Sequence, residues 1–250
     1  MSTDLAEHVV VITGAAGDLG WGIARECLGA GARVALIDLD ADALAPLGHA
    51  EDDRILRLQC DVADPMQTRA AVDAVLARWG RLDVLVNNAA VVTPGDKIGD
   101  LSATHWHQAM SINLTGAWLM SKWALAPMRR AGRGVVINVA SQLGSVAAAG
   151  RGAYGTSKAG LIALARAIAV DHADEGIRAL SLSPGAVLTG RVLRRYGHAD
   201  AARDALAPRY PVGRLGEVEE IARTALFLMG KDAAFITGTD VRVDGGYTAV

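Results

Sequence analysis

Val9-Val10-Val11-Ile12-Thr13-Gly14-Ala15-Ala16-Gly17-Asp18-Leu19-Gly20 decides how this chain folds. A short β-branched run stops in a turn with glycines at 14, 17 and 20, and an Ala/Leu-rich texture of helical spacing follows. Apolar runs of this length suit strands buried on both faces. Such glycines let the backbone turn sharply and come close to a pyrophosphate. A helix starting there presents free N–H groups and a partial positive charge. A glycine trio is weak evidence alone and also fits a tight turn without a ligand; the order strand, turn, helix gives it weight. Gly14, Gly17, Asp18, Leu19 and Gly20 are therefore candidate dinucleotide contacts.

The same alternation continues outward. Strand-like runs occur at 8–13, 33–37, 54–60, 84–86, 134–139, 177–182 and 239–243, with helical stretches between them and no internal repeat. Strands separated by helices imply right-handed βαβ units and a parallel sheet covered on both sides. The expected architecture is an α/β, Rossmann-type, doubly wound seven-stranded sheet in a single domain spanning 1–250. Asp64-Pro65 is a cap followed by proline at the first helical position, opening a helix to about Trp79. Ser102 caps a helix over 103–126 that Pro127 ends or kinks. Gly176 stops the helix before the sixth strand. The segment 188–210 is rich in Arg, Ala and Asp and lacks strand texture; it reads as a partly helical lid over a site.

Bulk composition excludes several classes. The 250 residues carry 25 basic and 27 acidic side chains, net −2, with no basic block, so nucleic acid is not an expected partner. Cys27 and Cys60 lack metal-type spacing, which predicts ordinary core thiols and no metal site. No apolar stretch approaches membrane-spanning length. The first apolar run is too short for a secretory leader, so a cytoplasmic location is the expectation.

Asp38 closes the second strand. A carboxylate there accepts the ribose hydroxyls of an adenosine and repels a 2′-phosphate. Two unit charges about 5 Å apart at an effective dielectric of ~20 repel by roughly 3 kcal/mol, about a hundredfold in affinity. No Arg or Lys stands at Gly17, Asp18 or Leu39 to welcome that phosphate, which argues NAD over NADP. Tyr154 and Lys158 are four apart at the start of a helical stretch and share a face. A nearby ammonium favours a phenolate, so the Tyr154 pKa is expected to fall toward neutrality and suit general acid/base work. Ser141 ends the fifth strand, where ligands bind in such sheets.

With these residues in place, the chain resembles the short-chain dehydrogenase/reductase family over essentially its whole length, in the 250-residue subgroup. The resemblance rests on 13–20, Cys60-Asp61-Val62, Asn87-Asn88-Ala89-Ala90, Asn113, Ser141, Tyr154 with Lys158, Pro184-Gly185 with Thr189, and Asp244-Gly245-Gly246. It implies that Tyr154 exchanges a proton with the substrate oxygen and that Ser141 orients the substrate. Lys158 would lower the Tyr154 pKa and hold the nicotinamide ribose, and Asn113 would hold a relay water. Asp61 and Val62 would contact adenine, Asn87 to Ala90 would line the cofactor wall, and Thr189 with the backbone near Leu188 would fix the carboxamide. Two departures stand out. Asp18 replaces the middle glycine; its carboxylate either faces the pyrophosphate and repels it or, as favoured here, caps backbone N–H groups and points away. Ala90 replaces the last glycine of its motif.

Arg191, Arg194 and Arg195 share one helix face in the lid and read as solvated, with a bound carboxylate or phosphate as the alternative. Gln142 and His198 read as structural, and Trp106, Trp118 and Trp123 as packing residues. The helices around Trp118 and Leu161 are apolar over most of their surface, which points to a subunit interface; the family resemblance implies a homotetramer. The leading functional reading is an NAD-dependent dehydrogenase of a small secondary alcohol or carbonyl compound, such as a polyol, sugar or hydroxy acid. An NADPH-dependent 3-oxoacyl-type ketoreductase and a non-catalytic NAD-sensing or scaffold protein are the alternatives. Tyr154→Phe is expected to lower turnover at least about a hundredfold while sparing NAD binding, measured by NADH absorbance and by cofactor titration; retention of most activity would disprove the acid/base role.

Overall fold

The computed structural model describes residues 3–49 and 52–250. Seven strands, β1 Val9–Thr13, β2 Arg33–Asp38, β3 Ile55–Gln59, β4 Val84–Asn87, β5 Gly134–Val139, β6 Ile177–Pro184 and β7 Asp240–Val243, form one sheet in the order β3-β2-β1-β4-β5-β6-β7. Every pairing is parallel. The chain winds outward first from β1 to β3 and then from β4 to β7, so the connections reverse between β1 and β4.

Strand alternation divides the core in two. Val10 and Ile12 pack with Ile23, Ala24 and Cys27 of α1 (Asp18–Gly29) and with Ile221 and Ala225 of α9 (Val218–Met229). Val9 and Val11 face the other layer, with Val72 and Val75 of α3 (Pro65–Trp79), Met120 and Met128 of α5 (Gly116–Ala131) and Ile168 of α6 (Gly152–Asp171). A strand buried on both faces must be apolar at every position, which is why β1 reads as an unbroken run. The remaining helices are α2 (Ala41–Leu44), α4 (Ala103–Ala109), α7 (Gly190–Tyr196) and α8 (Ala199–Leu206). The segment 188–210 holds α7, α8 and a 3₁₀ turn at Ala207–Arg209.

The caps follow the sequence signals. The Asp64 carboxylate accepts from the N–H groups of Met66 and Gln67 at 2.7 and 3.2 Å, and the Ser102 hydroxyl accepts from His105 N–H at 3.1 Å. Gly176 takes φ +73° directly before β6, but a 3₁₀ turn over Ala173–Glu175 separates it from α6. Of the two outcomes expected at Pro127, ending the helix does not occur. Helical structure opening at Ala103 passes through a π-turn at Met110–Thr115 and continues to Ala131, with left-handed Gly132 as its cap. Proline costs that helix one donor close to its end, while Pro127 and Met128 are both buried.

Trp118 departs from the packing role: it is 47% exposed, with the Lys122 ammonium 5.4 Å from its ring. Trp106 and Trp123 are partly buried. Leu161, Ile162 and Ile168 of α6 are buried within this chain, whereas Val170 is exposed. Both cysteines are buried free thiols, and burial pushes Cys27 up to about 12 and Cys60 up to about 11, which leaves them protonated and unreactive. Among the described residues no helix is long and apolar enough to cross a membrane, and no group of three or more His, Cys, Asp or Glu side chains has metal-binding geometry.

One buried carboxylate pins the N-terminal edge of the sheet. Asp83 accepts from Val9 N–H at 2.9 Å and takes both Arg81 donors at 2.8 and 2.6 Å. Asp83→Ala is expected to destabilise the fold by about 1–3 kcal/mol, chiefly by stranding the Val9 N–H, since Arg81 is partly solvated. Urea unfolding measures this, and a change under about 0.5 kcal/mol, ordinary for surface substitutions, would contradict it.

Candidate active site

The reversal between β1 and β4 opens a crevice at the C-terminal strand ends, where such sheets bind ligands. Gly14 sits there at φ +63°, and a Cβ on it would lie 2.7 Å from Ala89 Cα, so no larger residue fits. The Asn88 amide donates to the carbonyls of Thr13 and Gly14, both at 3.0 Å. The Thr13 hydroxyl accepts from the N–H groups of Asn88 and Ala89 at 3.0 and 3.1 Å. On the other side Ala16 N–H donates to Asp38 Oδ2 at 2.9 Å. The turn is thus held from both flanks. At the start of α1 the N–H groups of Asp18, Leu19 and Gly20 find no acceptor among the described residues. Three converging free donors fit the pyrophosphate of a dinucleotide.

Asp18 corrects the expectation in part. It does not cap its own helix; Gly17 is the N-cap and carries no side-chain bond. Asp18 Oδ2 instead accepts from Gly190 N–H at 2.9 Å, tying the cradle to the first residue of α7. Asp38 also accepts from Asp40 N–H at 3.3 Å and, among the described residues, has no cationic side chain within 4.0 Å. Asp61 accepts from Ala63 N–H at 2.9 Å, and buried Val62 packs against Gly116, whose Cβ position lies 2.8 Å away. The Asn87 side chain turns away from the crevice, donating to Ser121 Oγ at 3.0 Å and Asn138 Oδ1 at 2.9 Å, while Ala89 lies against Gly14. Ala90 is half-buried beside them. Pro184 ends β6, and a Cβ on Gly185 would lie 2.9 Å from Asp244 Cα. Thr189 caps α7, its hydroxyl accepting from Val192 N–H at 3.4 Å.

The polar cluster lies at the end of β5. Ser141 caps a single 3₁₀ turn, Gln142–Gly144, and accepts from Leu143 N–H at 3.2 Å. Tyr154 and Lys158 project from the first turns of α6, with the Lys158 ammonium 5.6 Å from the Tyr154 ring centre. Lys158 is only 2% exposed and donates to the Val139 carbonyl at 2.7 Å. Burial, helped by the Arg191 charge, pulls Lys158 down to about 7. Tyr154 is not lowered as the spacing suggested. Burial raises it, and this outweighs the opposing pull of the Ser141 hydroxyl and of the Arg191 and Arg151 charges. A lysine that loses its own charge near neutrality cannot hold a phenol far below its ordinary pKa.

Asn113 is buried within the π-turn. Its Oδ1 accepts from Val91 N–H at 2.8 Å, and its amide donates to the Val91 carbonyl and Ser157 Oγ, both at 3.0 Å. The side chain is fully engaged in joining the loop after β4 to α6. Sequence reasoning missed Tyr210 altogether. Its hydroxyl accepts from Ala186 N–H at 2.8 Å and from the Gln142 amide at 3.0 Å, linking the end of the 188–210 segment to the loops after β5 and β6. No local signal marks it, because its partners are 24 and 68 residues distant.

A doubly wound parallel sheet with a phosphate cradle and a Ser–Tyr–Lys cluster at its reversal point defines a dinucleotide-dependent oxidoreductase. Residues 14–248 match the family described as Enoyl-(Acyl carrier protein) reductase. The chain is 39% identical over 256 residues to "Cis-4-hydroxycyclohexanecarboxylate dehydrogenase" of Sinomonas cyclohexanicum, with 100% of each chain covered. It is 36% identical over 250 residues to "2-(R)-hydroxypropyl-CoM dehydrogenase" of Xanthobacter autotrophicus, covering 97% of this chain and 99% of the relative. The crystal structure of levodione reductase superposes with a TM-score of 0.91 at 32% identity, covering 98% of this chain and 99% of that one. The chain belongs to the short-chain dehydrogenase/reductase family. It is an oxidoreductase of that family, whose dehydrogenases use nicotinamide dinucleotides.

Burying Lys158 has a measurable cost. Its pKa is about 7 when folded against 10.5 ordinarily, so the unfolded chain binds more protons between those values and stability rises with pH across that window. Lys158→Met is expected to stabilise the fold at pH 6–7 by a few kcal/mol, with the gain shrinking as pH rises toward 10. Thermal unfolding across pH tests this, and a pH-independent difference would refute it.

Proposed function

We propose that this enzyme is an NAD-linked dehydrogenase that interconverts a secondary alcohol and the corresponding ketone on a small molecule. Asp38 carries the cofactor preference: its carboxylate is fixed to the cradle through Ala16 N–H and, among the described residues, has no cationic side chain within 4.0 Å to receive a 2′-phosphate. The names of the relatives support an alcohol substrate, since they describe dehydrogenases of hydroxy compounds.

A bound nicotinamide supplies the hydride acceptor or donor. Everything else falls to this chain. Tyr154 takes the hydroxyl proton of the alcohol, or gives it back to the carbonyl oxygen in the reverse direction. Its raised pKa makes the resting side chain a neutral phenol, ready as a proton donor. Ser141 hydrogen-bonds the reacting oxygen, and its hydroxyl together with the Arg151 and Arg191 charges stabilises the phenolate that alcohol oxidation requires. Lys158, with a pKa of about 7, accepts or releases a proton at little cost near neutrality and hydrogen-bonds the nicotinamide ribose. At Asn113 the backbone, loosened from the regular helical ladder by the π-turn, is what remains to hold a relay water, because the amide is committed elsewhere. Gly14 and Gly17 shape the cradle and the N–H groups of Asp18, Leu19 and Gly20 hold the pyrophosphate, Asp61 and Val62 border the adenine, and Pro184, Gly185 and Thr189 border the carboxamide. The 188–210 segment acts as the lid.

Assembly into a homotetramer is part of the same reading. Exposed Trp118 on α5 and Val170 on α6 support it, because apolar side chains of that size call for a covering surface. Absorbance at 340 nm with secondary alcohols, polyols and hydroxy acids, each with NAD and NADP, tests the function. NAD is expected to be preferred about a hundredfold in kcat/KM. Turnover with NADP alone would overturn the reading of Asp38 in favour of a ketoreductase.

A further inference from the structure

Part of the basic surface of this molecule is neutralised by ion pairs. Arg54, Arg81, Arg129, Arg203 and Arg214 each hold a carboxylate at 2.6 to 3.1 Å. Arg151, Arg191 and Arg195 hold none within 4.0 Å among the described residues. These three are not scattered. Arg151 occupies the N-cap position of α6, three residues ahead of Tyr154, and is half-buried. Among the described residues its guanidinium makes one hydrogen bond, a long one of 3.5 Å to the Thr93 carbonyl in the loop after β4. Arg191 and Arg195 are one helical turn apart on α7, so they share a face.

Arg151 stands beside Tyr154 at the start of α6, and α7 brings its charges within electrostatic reach of the same residues. The Arg191 charge is felt at both Tyr154 and Lys158, and the Arg195 charge at Arg151. Arg194 differs: a Cβ on Gly190 would lie 3.3 Å from its Nη1 and 3.4 Å from Asp18 Oδ2, which puts it on the cradle side. Like charges held together beside a partly desolvated tyrosine are unfavourable unless an anion joins them. Guanidinium groups suit a carboxylate, which they bind in a planar, two-pronged manner. The loops and helix around this cluster also carry exposed apolar side chains: Val92, Ile98, Val146 and Leu193.

We propose that Arg151, Arg191 and Arg195 form an anion-binding arm of the substrate pocket, so that the alcohol oxidised here carries a carboxylate on a hydrocarbon body: a hydroxy acid rather than a sugar or polyol. The inference rests on the dehydrogenase reading above and narrows its substrate. The carboxylate docks between α7 and the start of α6 and places the carbinol under Tyr154 and Ser141. Closure of the 188–210 segment then depends on the substrate's own charge.

The test compares cis-4-hydroxycyclohexanecarboxylate with its uncharged analogue 4-methylcyclohexanol, both with NAD, in the wild-type enzyme and in Arg151→Met, Arg195→Met and the double variant. Arg151→Lys and melting temperatures serve as controls for charge and folding. The expected result is at least a tenfold kcat/KM preference for the carboxylate, expressed mainly in KM. Each single variant lowers that ratio, the double variant lowers it furthest with Arg191 retaining the remainder, and Arg151→Lys restores part of what Arg151→Met loses. Equal use of the two alcohols by the wild type, or a preference undiminished in the double variant, would overturn the proposal. The dehydrogenase reading fails separately, when no alcohol of the panel above reduces NAD or NADP. The anion site is then read separately by calorimetric titration of cyclohexanecarboxylate into the protein with NADH. At least tenfold weaker binding in the double variant supports the arm, and equal or undetectable binding to both proteins rejects it.

Discussion

The clamp between the ends of β1 and β4 is the constraint on which the rest depends. Asn88 holds the carbonyls of Thr13 and Gly14, and the Thr13 hydroxyl holds the Asn88 and Ala89 N–H groups in return. These strands are neighbours in the sheet but 70-odd residues apart in the chain, and the connections leave them toward opposite ends of the sheet. The crevice between them exists only because both strand ends are fixed. Gly14 takes its positive φ against Ala89 there, and Asp38 reaches the same turn from β2.

The two edges of the sheet divide the work. At the N-terminal edge a buried carboxylate, Asp83, is fully paired and joins strands. At the C-terminal edge the polar groups are held under unfavourable conditions: a lysine buried until its pKa reaches about 7, a tyrosine raised by desolvation, and arginines without counter-ions. Groups poised in this way spend stability on reactivity, and the two apolar layers flanking β1 and β4 supply the rigidity that keeps them in place.

The 188–210 segment is tied down at both ends by contacts of different kinds. Asp18 secures the start of α7 through Gly190, and Tyr210 secures the far end through Ala186 and Gln142. The first tie belongs to the phosphate cradle and the second to the loop carrying Ser141. The position of α7 is therefore coupled both to the glycine-rich turn and to the loop carrying Ser141.

The sequence by itself determined the sheet, its seven strands, the helix caps at Asp64 and Ser102, and the roster of candidate residues. These depend on local patterning: unbroken apolar runs for strands buried on both faces, and oxygen-bearing caps before helices. Only the tertiary structure decided how the residues act on one another. It carried the helix past Pro127 through a π-turn, turned Asn87 inward and Asp18 outward, and revealed Tyr210 as a link between loops. It also reversed the expected direction for Tyr154, because spacing of four residues brings Lys158 near but says nothing of the burial that strips its charge. Pairing and desolvation belong to the folded surroundings, so neighbours distant in sequence decide them.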